Sequence, residues 1–156
     1  KGSLLAMNKM RLWAIGFAAA ATLATSGCAS NVSLEPAELA NDPACAEVSV
    51  RLPESIAEHD KRVTDAQATG AYGEPVAVIV RCGLPGVTVS NLRCVSTSGV
   101  DWLVDEAEAP SYRFISFGRT PATEVIVDSE KAVGVSTLDA LAPAIKSIPA
   151  TANCAG

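Results

Sequence analysis

Hydrophobic residues change their spacing several times along the chain, and each change predicts an element. Leu12 to Leu23, LWAIGFAAAATL, is an uncharged run of twelve residues behind Lys9, Met10 and Arg11. A spanning helix needs about 20 apolar residues, so this run reads as the apolar region of a signal peptide. The spacing then turns helical. Asp42-Pro43 offers a cap and a first-turn proline, and Cys45, Val48 and Leu52 follow about a turn apart, although Val48 and Val50 are two apart and would suit a strand. LPESIAEHDKR, with Leu52 and Ile56 inward, predicts a second short helix. Residues 64–75 read as loop. Val76 to Cys82, VAVIVRC, is apolar at successive positions and predicts a central strand. GLPG breaks it, and Val87 to Cys94 predicts a return strand beside it. Ser96 to Gly99 reads as a turn. VDWLVDE alternates, with Val100, Trp102 and Val104 on one face and Asp101, Leu103 and Asp105 on the other. Tyr112–Phe117 and Glu124–Asp128 predict two more strands around a turn at Gly118–Pro121.

Leu138, Leu141, Ala142, Ile145 and Ile148 mark one face of a C-terminal helix, with Ser136 and Asp139 as a loose capping box. Pro143 predicts that this helix bends or starts late. The order of elements predicts an α+β fold: an antiparallel sheet of four or five short strands, with N-terminal helices and a C-terminal helix on one face.

The segment after the apolar run carries the first chemistry. Thr25-Ser26-Gly27-Cys28 resembles the lipobox of bacterial lipoproteins. Small residues fit the peptidase, and the Cys28 thiol accepts a diacylglyceryl group, whose two chains suffice for stable anchoring. The other reading is an ordinary secretory signal with Cys28 in a disulfide. The expected organisation is a signal at 1–27 that includes six residues before the first methionine. A lipidated cysteine and tether at 28–41 and one exported globular domain at 42–156 follow. The expected location is the outer face of the cytoplasmic membrane.

Charge and cysteines narrow the partners. The chain has 12 basic and 17 acidic residues and a net charge of −5. Removing 1–27 takes away Lys1, Lys9 and Arg11 and no acid, leaving 9 basic residues and a net −8. Nucleic acid and electrostatic docking on an anionic membrane are both excluded by that balance. Cys45, Cys82, Cys94 and Cys154 remain beside Cys28, an even number that implies two disulfides in one of three connectivities. Loop logic favours Cys82–Cys94, closing a local hairpin, and Cys45–Cys154, clamping the two ends. On chain entropy these are worth about 3 and about 4–5 kcal/mol. There is no C-x-x-C pair and only one histidine, so no metal site or cofactor is expected.

Three groups of side chains carry candidate functions. His59 in AEHDKR reads as a solvated histidine. Asp101, Asp105, Glu106 and Glu108 crowd around Trp102, and two of them would serve as the acid and base of a glycosidase beside an aromatic subsite. Arg81 ends an apolar strand and Arg119 sits in a Gly-Arg-x-Pro turn. With the Tyr72 ring, two guanidiniums would grip a carboxylate.

AYGEPVAVIVRCG (71–83), Cys94 with GVDWL (99–103), FGRTPATEV (117–125) and the near-terminal Cys154 form one pattern. It resembles the actinobacterial family of exported proteins, many of them lipoproteins, known as domain of unknown function 3515. Cys45, Leu52-Pro53, Gly73-Glu74-Pro75, Arg81-Cys82-Gly83, Trp102, Gly118-Arg119 and Cys154 match by position over roughly residues 44 to 154. Tyr72 stands where that family usually has tryptophan. The resemblance implies a compartment and a domain outline and no activity. The resulting expectation is a noncatalytic envelope module anchored through Cys28. Tyr72, Arg81, Trp102 and Arg119 would contact an envelope protein or a cell-wall component. The alternative is an envelope glycan hydrolase using the 101–108 carboxylates.

Overall fold

The structure, a computed structural model, describes residues 31–154. Cys28 and the expected signal lie outside the described residues. The elements are α1 (Pro43–Val50), β1 (Ser55–Ile56), β2 (His59–Arg62), β3 (Thr69–Tyr72), β4 (Val78–Leu84), β5 (Arg93–Thr97), β6 (Val100–Asp105), β7 (Ser111–Ser116), β8 (Ala122–Asp128) and α2 (Gly134–Ile145). The eight strands form one antiparallel sheet in the order β1-β2-β3-β4-β8-β7-β6-β5.

The expectation of four or five strands with several N-terminal helices is therefore corrected. The second predicted helix is the β1–β2 hairpin, turned at Ala57 with φ +51°. Leu52 and Ile56 do point inward, but these strands hold a single apolar residue, Ile56, and show no alternation. The predicted loop at 64–75 contains β3, whose small Gly70 packs against Leu52; a Cβ there would lie 2.8 Å from Leu52 Cδ1. The predicted return strand beside β4 does not form either. The neighbours of β4 are β3 and β8, and β5 pairs with β6 across the Ser98–Gly99 turn.

The helix starts divide. Asp42 caps α1 as expected, its Oδ1 accepting the Ala44 N–H at 2.8 Å. By contrast α2 starts at Gly134, before the predicted capping box, and runs through Pro143 near its end. Asp139 instead accepts the hydroxyls of Thr97 and Ser98 at 2.5 and 2.7 Å, tying the β5–β6 turn to α2.

Alternation splits the sheet into two faces. Tyr72, Val78, Val80, Trp102, Val125 and Val127 point inward onto Leu138, Leu141 and Ile145 of α2 and Val48 of α1. Both edge strands, β1 and β5, reach α2. A flat eight-stranded sheet is about 34 Å wide, and a 12-residue helix is about 18 Å long. The sheet must therefore coil around the helix. A smaller cluster of Leu103, Ile115, Phe117 and Ala122 fills part of the outer face. There Glu124, with no exposed surface, is held by Arg81 Nε at 2.5 Å from one side and by Arg113 from the other.

The four domain cysteines are bonded, but in the pairing Cys45–Cys82 and Cys94–Cys154. This corrects the favoured Cys82–Cys94 and Cys45–Cys154. The reason is topological: β8 pairs with β4, so Cys82 faces α1 while Cys94 lies at the far edge. Cys45 and Cys82 are buried, whereas Cys94 and Cys154 are partly exposed.

Residues 31–41, expected as a tether, are bound to the domain. The Val32 N–H donates to Val63 O at 2.9 Å, the Leu34 N–H to Asp65 Oδ1 at 2.9 Å, and the Leu39 N–H to Gly83 O at 2.7 Å. This strap crosses the outer face to the end of β4. Gly83 has φ +115°, and a Cβ on it would sit 2.5 Å from Ala40 N, so glycine permits the crossing.

Candidate functional site

The first turn of α2 does not close on the sheet over its whole length. A groove of about 510 Å³ remains between that turn and strands β5 to β7. Three alternations build its wall: Arg93, Val95 and Thr97 on β5, Val104 and Glu106 along and just beyond β6, and Tyr112 and Phe114 on β7. Val127 and Leu138 form the floor, and Val133 and Val135 stand at the lip, 70% and 63% exposed. Gly134 lies between them, and a Cβ there would be 3.4 Å from Phe114 Cζ, so the helix start rests close to that ring.

Arg93, Ser96, Thr97, Glu106 and Ser129 are its polar lining residues. Arg93 Nη2 pairs with Glu106 Oε1 at 2.6 Å, both side chains more than half exposed. Such a pair contributes about 0.2–1 kcal/mol and opens readily. The Thr97 and Ser98 hydroxyls hold the Asp139 carboxyl below the usual carboxylate range and fix β5 against α2. Val133, at the N-cap of α2, gives no side-chain cap. The groove can therefore bury an apolar group and hydrogen-bond its polar ends. A volume of 300–1,000 Å³ with mostly apolar walls is usual for ligand sites.

The residues singled out from the sequence lie elsewhere. Tyr72 is fully buried and donates its hydroxyl to Pro53 O at 2.9 Å; burial, helped by the charge of Glu54, pushes its phenol pKa up. Trp102 is fully buried in the inner core, and among the described residues its indole N–H has no hydrogen-bond partner. Neither ring is a surface contact, which corrects that expectation. Arg81 faces outward onto Glu124 and reaches Glu35 O at 3.5 Å. Arg119 is only 6% exposed, and its Nη1 donates to Ile148 O. Burial lowers the Arg119 pKa and the charge of Asp101 works against that shift. Tyr72 and Arg81 are on opposite faces of the sheet, so the expected gathering of Tyr72, Arg81 and Arg119 does not occur.

The carboxylates also disperse. Asp101 accepts from the Ser96 hydroxyl and from the Cys154 N–H at 2.6 Å, Asp105 from the Ala107 N–H at 3.1 Å, and Glu106 from Arg93. Glu108 is exposed. Trp102 points to the other face from Asp101 and Asp105, so it lends them no aromatic subsite. His59 donates from Nε2 to Lys131 O at 2.9 Å. Among the described residues no group of three or more His, Cys, Asp or Glu is placed to hold a metal, and no helix is long and apolar enough to cross a membrane.

Sequence reasoning missed Arg93, Val95, Val104, Tyr112, Phe114, Val133 and Val135 as a group. The visible signal was Val133-Gly134-Val135, two large apolar residues around a glycine in a stretch otherwise polar.

No curated protein and no solved structure matches the chain. The family model described as "Protein of unknown function (DUF3515)" matches residues 11–153. That span includes every strand, both helices and the cysteines Cys45, Cys82 and Cys94, and by it the chain belongs to the DUF3515 family.

Proposed function

We propose that this protein is a noncatalytic binding or accessory module of the cell envelope, anchored to the outer face of the cytoplasmic membrane through Cys28. It takes an apolar part of an envelope protein or wall component into the groove between α2 and β5–β7. One observation carries this reading: the groove is lined mainly by valine, leucine and aromatic side chains, with the hydroxyls of Ser96, Thr97 and Ser129 among them, and its acid–base pair, Arg93–Glu106, is spent on itself. Two disulfides agree with an oxidising compartment. No geometry favours the hydrolase reading, because its carboxylates disperse and Trp102 is turned away from them.

The lip valines are exposed, so charging them leaves the core intact. A photo-crosslinking residue at Val135, in cells, is expected to capture one envelope component, while the same residue at the exposed Val89 captures none. Purified protein should bind that component and leave it chemically unchanged. Val133→Glu with Val135→Glu should weaken binding at least tenfold without changing the unfolding midpoint. Turnover of the component, or undiminished binding by the double variant, would count against the proposal.

A further inference from the structure

We infer that the strap and the turn after β2 form a membrane-facing surface, so that the lipid anchor sets the orientation of the domain as well as its location. This rests on the lipoprotein reading of Cys28. A covalent limit sets the geometry. Val32 is already fixed, its N–H on Val63 O at 2.9 Å and its carbonyl accepting the Asp65 N–H at 3.3 Å. Four residue steps separate Cys28 from Val32, and a fully extended chain spans about 3.5 Å per residue. A diacylglyceryl group on Cys28 thus holds Val32 within about 14 Å of the bilayer surface.

A leash that short cannot let a domain of this size turn freely. The residues around Val32 are thereby kept close to the headgroups, and these are Val63, Thr64 and Asp65. Val63 is 67% exposed, an apolar side chain next to the point where the strap is tied. The local cations are already engaged: Lys61 is 3.9 Å from Glu54, and Arg62 pairs with Glu74. With a net charge of −8 for the chain from Cys28 onward, the contact is not electrostatic, and zwitterionic lipid should suffice. The strap runs over the outer face of the sheet, and the groove opens on the inner one. The tie point lies beside β2 and the groove lies against β5 to β7, at the other end of the strand order, so the orientation keeps the groove available from the aqueous side.

The test uses the full lipidated chain reconstituted in phosphatidylcholine vesicles with brominated acyl chains. A fluorophore is attached at Val63→Cys or, as reference, at Val135→Cys, which is similarly exposed. Quenching at position 63 should exceed that at 135 at least twofold. An eight-residue Gly-Ser insertion between Ser30 and Asn31 should abolish the difference. Equal quenching at the two sites in membrane-bound protein would overturn the orientation and leave the anchor standing. A difference that survives the insertion would overturn the leash as its cause. If Cys28→Ser fractionates with membranes as well as the wild type does, both the anchor and the orientation fail.

Discussion

At the scale of single residues, much of the chemistry that looked available in the sequence is engaged in holding the fold. Arg81 and Arg113 share the buried Glu124 carboxylate, Arg119 is sunk under Ile148, and Tyr72 is tied to Pro53. These partners are 11 to 43 residues away along the chain, so sequence spacing could not reveal that they were taken. Asp65 is one residue on which a pH effect is expected. The Leu34 N–H and the Ser33 hydroxyl hold its carboxyl below the ordinary value of 3.8. A depressed carboxyl stabilises the fold fully above its unfolded pKa and loses that contribution as pH falls through the folded value. Acidification below about pH 4 should therefore weaken the Leu34–Asp65 hydrogen bond, while the backbone bonds of the strap at Val32 and Leu39 remain. The Leu34 amide resonance should titrate in that range, and Asp65→Asn should remove the titration. A Leu34 resonance that stays fixed down to about pH 2 in the wild type would refute this role.

At the scale of elements, legibility followed length and pattern. The longer strands β4, β6, β7 and β8 were readable, because an apolar run or alternation of five or more residues between turn signals suits a strand better than a helix. So was α1, from Asp42 and Pro43. The two-residue β1, the charged β2 and the small-residue β3 were not, because each is specified by pairing with a neighbour and by the space around Gly70. The disulfides were misassigned for the same reason, since the partners of β4 decide how far Cys94 lies from Cys82. The candidate groove was the least legible part: it exists because β5 is tied to α2 by Thr97, Ser98 and Asp139 across about 40 residues of chain. Element packing also predicts two kinds of disulfide. Mild reductant under native conditions should open Cys94–Cys154 first, since attack requires access to a sulfur. Cys45–Cys82, at 0% and 1% exposure, should yield only on unfolding. Alkylation followed by peptide mapping distinguishes the two. Simultaneous loss of both bridges in folded protein would contradict the assignment.

For the whole molecule, α2 is the shared core of a coiled sheet. Both edge strands and β8 reach it, so its loss would leave inner faces on both sides uncovered. Leu141 has no exposed surface, and Leu141→Ala should cost about 2–5 kcal/mol. Denaturant unfolding followed by far-ultraviolet dichroism and by the buried Trp102 should give coincident curves in wild type and variant, as expected of one cooperative unit. Separate transitions would mean that the β1–β3 and β5–β7 sides fold independently.

The disulfide connectivity also bears on how the protein is made. Cys45 pairs with the next domain cysteine, Cys82, and Cys94 with the next, Cys154. A chain emerging N-terminus first presents its thiols in that same order. With Cys28 out of play, an oxidant that joins each new thiol of these four to the one waiting before it produces the native pairing with no need for reshuffling. The first bridge has to be made early, because the closed core hides both of its sulfurs. The second remains reachable after the domain has closed.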